Sequence, residues 1–340
     1  MKFIRFLLFP FAIIYSIVTT LRNYFFDLGL FASTSFDKPI IAVGNLSVGG
    51  TGKTPQIEYL IKLLKSKYKI GVLSRGYGRS TKGFVLVNET KNASEVGDEP
   101  LQFSKKFDDV IIAVDENRVH GIQQLKTTEV VLLDDAFQHR KVKAGFYVLL
   151  TKYNELFSND FVLPVGNLRE RRIGVKRTDV VVVTKCPNTL DRLEKEAILQ
   201  LINRYFKGPV FFSSIQYSDV LVSNTNKEIK TSELSKFEVL LVTGIANPKP
   251  LENYLSALNC TFKHQKFSDH HQFTEKEISN IKARFEAMQS ENKIVLTTEK
   301  DFVRLSNHIH NLYYLAIETS FLEHQTKFDS LITNYVERNL

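Results

Sequence analysis

Cysteine and tryptophan are nearly missing from this chain of 340 residues, which has two cysteines and no tryptophan. Cys186 and Cys260 form neither a CxxC pair nor a Cys/His spacing typical of zinc ligands. The sequence therefore supports neither a disulfide framework nor a structural zinc site, and it favours a reducing compartment. It also lacks zinc-finger motifs, RNA-binding aromatic motifs and internal repeats, and its basic residues are scattered, so nucleic acid is the weakest candidate partner.

The remaining composition is that of a globular protein with an excess of positive charge. Hydrophobic residues make up 43% of the chain and charged residues 24%, which excludes a disordered or fibrous protein. Lys and Arg outnumber Asp and Glu by 45 to 37, and the formal net charge of +8 favours anionic partners such as phosphate or phospholipid headgroups. A length of 340 residues exceeds the usual size of one domain, so two α/β domains are expected.

Residues 1–30 combine an apolar run with flanking arginines. The run is uncharged from Phe6 to Leu21, between Arg5 and Arg22, and it is shorter than the roughly 20 apolar residues that a spanning helix needs. We expect a membrane-associated helical segment whose arginines contact anionic headgroups, and the sequence leaves open whether it spans the membrane or lies in the interface. A helix buried on the core is the alternative, whereas a cleaved signal peptide lacks a small-residue cleavage site.

Short apolar runs recur after this segment and predict a parallel sheet. They are continuous rather than alternating, which is typical of strands that helices cover on both faces. We therefore expect an α/β fold in which this sheet forms the larger domain. The predicted strands of this first part lie at residues 40–43, 70–73, 110–114, 130–133 and 180–183.

A second, smaller α/β domain is predicted after a change in composition. Residues 217–235 are polar and contain the turn-like Asn224-Thr225-Asn226, which favours a small hairpin or a linker. Beyond them, apolar strands are predicted at 239–243 and 293–297, with an amphipathic stretch at 275–288 between them. The expected division is a membrane-associated segment at 1–30, a first domain at 31–216, the linker or hairpin at 217–235 and a second domain at 236–340.

A glycine-rich segment between the first predicted strand and a helix carries the strongest chemical information. It reads GNLSVGGTGKTP and resembles the P-loop pattern GxxxxGK[ST], although Ser47 stands where the strict pattern has glycine. The backbone N–H groups of such a loop and the N-terminus of the next helix bind phosphate oxygens, so the larger domain is expected to be P-loop NTPase-like. Lys53 is expected to reach the β- and γ-phosphates of ATP, and the Thr54 hydroxyl to bind Mg²⁺. The predicted nucleotide-binding residues are Ser47, Val48, Gly49, Gly50, Thr51, Gly52, Lys53 and Thr54.

An apolar run that ends in two carboxylates supports a metal-dependent nucleotide site. Residues 129–133 are followed by Asp134 and Asp135, as in a Walker B strand, and Asp134 is the predicted metal ligand. Paired acids at a strand end can instead cap the next helix. Their combination with the glycine-rich segment favours the metal site.

A set of short strings follows along nearly the whole chain. They read GNLSVGGTGKTP from residue 44, SRGYG from 74, GDEP from 97, DDAFQHR from 134, LPVGNLRE from 163, GIANP from 244, DHH from 269 and TTEKD from 297. In this order and spacing they resemble the tetraacyldisaccharide 4′-kinase family, the lipid A 4′-kinases.

The resemblance implies transfer of the ATP γ-phosphate to the 4′-hydroxyl of a tetraacyldisaccharide 1-phosphate, which gives lipid IVA. It also implies work at the inner membrane, by a peripheral or monotopic protein with its active site on the cytoplasmic face. In such a family the GDEP aspartate and a DHH histidine act together as the catalytic base. Here these residues are Asp98 and His270, with His271 left open as the alternative. Because they lie in different predicted domains, the pair is expected to assemble when the domains close.

Further polar residues in these strings are candidates for substrate and metal contacts. Guanidinium groups bind phosphate through two parallel hydrogen bonds, although surface salt bridging is the competing explanation for any single arginine. Glu170 is expected to add to the metal site. The predicted substrate contacts are Arg75, Arg118, Gln138, His139 and Arg169.

Two other functions remain as alternatives. A membrane-recruited P-loop ATPase or GTPase switch shares the same features, but a guanine-specific N/TKxD string is not completed, because Cys186 and Pro187 follow Thr184-Lys185. A non-catalytic membrane scaffold with a vestigial nucleotide fold is disfavoured by the intact Lys53, Thr54, Asp98 and Asp134.

Overall fold

The computed structural model describes residues 5–88, 91–225 and 227–340. Its helices are α1 (Phe9–Asp27), α2 (Lys53–Leu64), α3 (Ala93–Val96), α4 (Asp98–Lys106), α5 (Arg118–Gln124), α6 (Arg192–Ile202), α7 (Lys249–Ala257), α8 (Glu275–Glu286), α9 (Glu299–Leu305) and α10 (Gln325–Asn339). Short 3-10 helices lie at Phe157–Asn159, Arg172–Arg177 and Thr231–Lys236. Its strands are β1 (Ile40–Asn45), β2 (Ile70–Ser74), β3 (Val85–Leu86), β4 (Ile111–Val114), β5 (Val130–Asp134), β6 (Phe146–Lys152), β7 (Val180–Thr184), β8 (Val210–Ser223), β9 (Glu228–Lys230), β10 (Glu238–Thr243), β11 (Thr261–Lys266), β12 (Lys293–Thr298) and β13 (Leu312–Phe321).

These strands join one mixed sheet. Their order is β11-β10-β12-β13-β8-β7-β6-β1-β5-β2-β4-β3, and β9 pairs with β8. The pairs β3–β4, β8–β9 and β8–β13 are antiparallel. The other neighbours are parallel. The α/β class and the mostly parallel sheet expected from the sequence are confirmed.

The continuous apolar runs form strands because helices cover both faces of the sheet. Every residue of β1 is buried. Ile41 packs in one core cluster with Leu60 of α2, whereas the adjacent Ile40 packs in another with Ile122 of α5. Burial of each such side chain stabilises the folded state by about 1.5–3 kcal/mol. Because successive side chains of a strand point to opposite faces of the sheet, β1 stabilises the packing of both helix layers.

The carboxyl ends of the parallel strands meet at one edge, which places the predicted chemistry together. Val43 of β1 lies opposite Asp134 of β5, and Asn45 of β1 lies opposite Leu150 of β6. The glycine-rich segment leaves β1 at this edge and leads directly into α2. In open α/β sheets this edge is where ligands bind.

β8 passes through the segment where the sequence predicts a domain boundary. Its residues 210–212 pair in parallel with β7, and its residues 213–223 pair antiparallel with β13, apart from an irregularity in the register. The next segment turns back as β9, which forms a hairpin with β8. The sheet continues through residues 217–235. The division of the chain at this segment stays a prediction.

Helix α1 lies against the loop that precedes the second 3-10 helix. Arg5, ahead of the helix, donates to the carbonyl oxygens of Pro164 and Gly166 at 3.1 and 2.7 Å. The Tyr15 hydroxyl donates to the carbonyl oxygen of Arg169 at 2.8 Å. Among the described residues, no helix has the length and apolar content needed to cross a membrane.

Candidate active site

The glycine-rich segment forms a loop whose shape requires glycine. Gly49 and Gly52 have φ angles of +97° and +89°, in the left-handed region where other residues are strained. Lys53 begins α2 immediately after Gly52. The backbone N–H groups at a helix N-terminus have no partner within the helix, so this loop can bind an anion such as a phosphate.

Neighbouring residues hold the loop in place from two sides. The Thr184 hydroxyl donates to the Thr51 carbonyl at 2.7 Å, and the Lys185 ammonium donates to the Gly50 carbonyl at 2.8 Å. On the other side, the Val48 N–H donates to the Asn167 carbonyl at 2.8 Å. The loop is therefore preorganised by β7 and by the segment that also contacts α1.

Asp134 and Asp135 differ in their surroundings although they are adjacent. Asp134 is buried and accepts a 3.1 Å hydrogen bond from the Ser74 hydroxyl. Burial raises the pKa of Asp134 to about 6, and the charge of Asp135 adds to the rise. Burial opposes the charged form of Asp135 as well, but Lys53, 3.5 Å away, and Arg169 outweigh it and lower the pKa of Asp135.

The site fits a divalent cation at Asp134. Its Oδ1 is buried and has no hydrogen-bond partner among the described residues, so this oxygen is available to a cation. Thr54, in the first turn of α2, is partly exposed at the loop. The described residues contain no cluster of three or more His, Cys, Asp or Glu side chains that holds a metal by itself, so nucleotide oxygens and water are needed to complete a shell.

Glu170 belongs to a different set of contacts. It is buried and accepts hydrogen bonds from Asn23 of α1 at 2.7 Å, from Arg177 at 2.8 Å and from Gln138 at 3.2 Å. The carboxylate thus joins the N-terminal helix to the strand-end residues. Its role as a metal ligand stays a prediction.

The predicted substrate residues fall into two groups. Arg169 and Gln138 line the loop: Arg169 donates to Asp135 at 3.0 Å, and Gln138 donates to the Asn45 carbonyl at 2.9 Å. Arg75 is exposed beyond β2. His139 is partly buried, and burial together with Arg118 lowers its pKa to about 4, so it is neutral at neutral pH.

Arg118 lies beneath the acids rather than on the surface. Only 2% of it is exposed, and it donates to the carbonyl oxygens of Asp115 at 2.5 Å and Asp134 at 3.4 Å. Burial lowers the pKa of Arg118 to about 10, against the opposing effect of Asp134. In this position Arg118 supports the strand end, and a contact with substrate phosphate stays a prediction.

Asp98 and His270 are in contact although 172 positions separate them. His270 Nδ1 lies 2.9 Å from Asp98 Oδ2. Asp98 begins α4 and is buried, whereas the His270 side chain is 36% exposed. Arg304 of α9 donates to both oxygens of the Asp98 carboxylate, at 2.5 and 2.9 Å. A buried acid therefore orients a solvent-facing imidazole, as in a general base with its supporting carboxylate.

The two histidines of the DHH string have different environments. His271 Nε2 contacts Glu277 of α8 at 3.0 Å, and its ring stacks on Phe267 at a centroid distance of 4.8 Å. His270 instead adopts a left-handed backbone with φ of +56° and turns toward Asp98. A non-glycine residue in this conformation is held by its surroundings, here by Arg304, which donates to the His270 carbonyl at 3.1 Å. This geometry favours His270 as the partner of Asp98.

The family model for tetraacyldisaccharide-1-P 4′-kinase matches residues 4–337 of the chain. The chain belongs to the tetraacyldisaccharide 4′-kinase family. It is 51% identical to the tetraacyldisaccharide 4′-kinase of Flavobacterium psychrophilum, over 99% of this chain and 98% of that protein. It is 49% identical to the Flavobacterium johnsoniae enzyme of the same name, over 100% of this chain and 99% of that protein.

A solved structure supports the same family. The crystal structure of the Aquifex aeolicus member in complex with ATP has a TM-score of 0.79 and 30% sequence identity to this kinase, covering 98% of this chain and 99% of that chain. The family and the kinase activity predicted from the sequence are confirmed. The nucleotide-switch alternative is not supported.

The sequence does not predict the contacts that three residues make in the kinase site: Arg304, Asn23 and Lys185. Arg304 follows the TTEKD string by three positions, but nothing local links it to Asp98. Asn23 follows Arg22 just beyond the apolar run, and no local pattern in the sequence links it to Glu170. In the sequence Lys185 is part of an incomplete guanine motif. In the structure its ammonium group contacts the P-loop.

Proposed function

We propose that this kinase transfers the γ-phosphate of ATP to the 4′-hydroxyl of a tetraacyldisaccharide 1-phosphate and forms lipid IVA, with Mg²⁺ as the metal. The carrying observation is the 2.9 Å contact between His270 Nδ1 and Asp98 Oδ2. An alcohol acceptor must lose a proton, and this pair supplies a base on a carboxylate support. Family membership supports the donor and the acceptor, since the relatives carry the activity in their name.

The nucleotide phosphates are placed at the loop that precedes α2. Residues 49–52 offer backbone N–H groups, whereas the Val48 N–H is donated to the Asn167 carbonyl. Lys53 offers a cation beside the β- and γ-phosphates. In the free protein Lys53 lies 3.5 Å from Asp135. This ion pair keeps the lysine at the loop before the nucleotide arrives and holds its ammonium in reach of the transferring phosphoryl group.

The metal site is assigned to Thr54, Asp134 and Glu170. These residues would hold Mg²⁺, which would supply positive charge against the phosphate oxygens during transfer. The free Oδ1 of Asp134 supports its part in this site. Glu170 is reached from the same strand edge through Gln138, which contacts both Glu170 and the Asn45 carbonyl.

The acceptor step uses the solvent-facing side of His270. Because Nδ1 contacts Asp98, the other ring nitrogen, Nε2, is the one that takes the proton of the 4′-hydroxyl. The hydroxyl oxygen then forms a bond to the γ-phosphorus while the bond from that phosphorus to the β–γ bridging oxygen breaks, and ADP leaves. Arg304 and Asp98 keep the imidazole oriented through the step. Closure of the two halves of the chain brings the pair to the γ-phosphate.

The acceptor's own phosphate is anionic and needs cations. Arg75 and Arg169 stand at the strand edge, with Gln138 and His139 beside them, and Arg118 lies below. Guanidinium groups bind a phosphate bidentately, which positions the disaccharide for attack. His139 is neutral at neutral pH and so can accept or donate a hydrogen bond to sugar hydroxyls.

Association with the cytoplasmic face of the inner membrane is assigned to α1. The helix exposes an apolar stripe at i, i+3, i+7 and i+10 spacing, composed of Phe11, Ile14, Val18 and Leu21. On its other side Tyr15 and Asn23 contact the loop of the active site. A helix with one face on the protein and an apolar face outward is suited to lie in the interface and to deliver the lipid to the site.

The proposal is tested with γ-labelled ATP, Mg²⁺ and the disaccharide 1-phosphate in mixed micelles. The native chain is expected to yield a labelled bisphosphorylated lipid. His270→Ala is expected to lower kcat by about 10²–10⁴-fold, the contribution of a general base. His310→Ala, a change at an exposed histidine, is the matched control and keeps full activity. Equal activity of the native chain and His270→Ala would overturn the assigned role of His270.

A further inference from the structure

A half-buried lysine joins two buried carboxylates away from Asp98 and His270. Lys106 lies 2.6 Å from Glu58 Oε2 and 2.8 Å from Glu299 Oε1. Gln102 donates to the other oxygen of Glu58 at 2.8 Å. We call Glu58, Lys106 and Glu299 the lysine cluster.

The cluster connects three helices that each begin or end in the active site. Glu58 lies in α2, which starts at Lys53 of the P-loop. Lys106 ends α4, which starts at Asp98. Glu299 begins α9, which carries Arg304 in its last turn. The P-loop, the supporting carboxylate and its arginine are thus mechanically linked through one ammonium group.

Helices α4 and α9 are held together at both ends. At one end Arg304 of α9 binds Asp98 of α4, and at the other end Glu299 of α9 binds Lys106 of α4. The two ends of α4 are about 12 Å apart at 1.5 Å per residue. Two charged contacts at this separation fix the rotation and the slide of α9 against α4, which a single contact leaves free.

We propose that the lysine cluster is a positioning device that sets the Asp98–His270 pair relative to the P-loop. Lys106 acts through Asp98 and Arg304 and touches neither nucleotide nor acceptor. The inference rests on the proposed role of Asp98 and His270.

The charge balance of the cluster suits a device that is costly to break. Burial raises the pKa of both Glu58 and Glu299, and Lys106 works against this rise in each. Lys62 of α2 also favours the charged carboxylates, and Tyr314 of β13 lies close enough to sense all three charges. Removing the lysine leaves two buried carboxylates without a cation. The helices must then shift, or the carboxylates must take up protons.

The test measures kcat and KM for ATP in the full-length chain. Lys106→Met is expected to lower kcat by about 10- to 100-fold with KM for ATP within about 3-fold, because a displacement near 1 Å at the reacting groups has effects of this size. Lys282→Met, which removes the same charge from an exposed position on α8, is the matched control and stays within about 2-fold of the native chain. Lys106→Arg restores most of the lost kcat.

A double-mutant cycle separates positioning from stability. In an Asp98→Asn background, Lys106→Met is expected to lower kcat by less than about 3-fold further, because its target is already disabled. A full second loss there, or native kcat in Lys106→Met, would overturn the inference. If Asp98→Asn itself keeps native kcat, the proposed function of Asp98 fails instead.

A charge-free version controls for misfolding. The variant with Glu58→Gln, Lys106→Met and Glu299→Gln leaves no unpaired buried charge, and it is expected to fold and to show the same loss of kcat as Lys106→Met. Thermal unfolding of each variant is recorded beside its kinetics. Failure of the charge-free variant to fold would contradict us, since the cluster would then hold the fold rather than the catalytic pair.

Discussion

At the scale of single residues, Arg304 connects Asp98 to the loop that carries His270. It binds both oxygens of Asp98 and also donates to the His271 carbonyl at 2.6 Å. One guanidinium therefore fixes the acid and the loop that carries His270. An ammonium group cannot make this planar set of contacts, so a lysine is a poor substitute.

Arg304→Lys is predicted to lower kcat by about 10- to 100-fold while KM for ATP stays nearly unchanged, because the loss is in orientation of the base rather than in nucleotide binding. Arg284→Lys in α8, where the arginine donates to Gln265 at the surface, is the matched control. Steady-state kinetics with the lipid acceptor measures both variants. A rise in KM for ATP with native kcat would argue against the orienting role.

Asp134 is a buried acid whose charge is predicted to lower the stability of the folded chain. Its pKa is raised from 3.8 to about 6 in the folded chain, so the folded state holds its proton over a range of pH in which the unfolded state has released it. The contribution of Asp134 to the free energy of unfolding therefore decreases as pH rises from about 4 to 6.

Asp134→Asn is predicted to raise the free energy of unfolding of the nucleotide-free protein at pH 7 by about 1–3 kcal/mol and to abolish most activity. The gain should disappear below about pH 4, where both states of the native residue are protonated. Urea unfolding at the two pH values measures the effect, with Asp108→Asn at the surface as control. A variant less stable than the native chain at pH 7 would contradict the prediction.

At the scale of elements, α1 has two faces with separate tasks. Its inner face holds Ala12, Tyr15 and Asn23 against the body of the protein, and its outer face exposes large apolar side chains. Contact with water is unfavourable for this outer face, whereas the acyl boundary of a membrane accepts it.

The double variant Ile14→Glu with Val18→Glu is predicted to lower binding to anionic phospholipid vesicles by at least about 10-fold, because two charges replace apolar contacts with the acyl region. Activity on a soluble, short-chain acceptor should remain. Leu193→Glu changes an exposed leucine on α6 and is the control. Vesicle co-sedimentation measures binding; unchanged sedimentation of the double variant would show that α1 is not the attachment site.

Elements with a local pattern were accessible from the sequence. The strands β1, β2, β5 and β7 were predicted because continuous apolar runs leave a trace in consecutive residues, and the structure confirms them. The helix expected after the glycine-rich segment begins at Lys53. The amphipathic stretch at 275–288 forms α8.

At the scale of the whole molecule, contacts between distant parts of the chain were not accessible in this way. Asp98 and Arg304 are 206 positions apart, and Lys106 meets Glu58 and Glu299 from opposite directions along the sequence. Such pairs follow no period, so residue patterns do not reveal them. The contact of Asp98 with His270 was expected only through the family resemblance. The passage of β8 through the predicted boundary also depends on pairing with β13, which comes about 100 residues later.

The same scale explains how one chain joins a nucleotide site to a lipid site. The P-loop lies at the edge of the parallel sheet, and the contact between Asp98 and His270 joins α4 to the loop before α8. Helix α1 contacts Glu170 through Asn23. The nucleotide site, the predicted general base for the acceptor hydroxyl and the apolar face of α1 thus belong to one part of the molecule. This arrangement suits transfer to a sugar hydroxyl of a lipid anchored in a membrane.

The most direct test of the whole is the position of the phosphate in the lipid product. With γ-labelled ATP and the disaccharide 1-phosphate, we predict that all transferred label is found on the 4′-oxygen, as read by phosphorus NMR and fragmentation mass spectrometry. Label released only as free phosphate, or found on the 1-phosphate end, would contradict the assignment of this chain as a 4′-kinase.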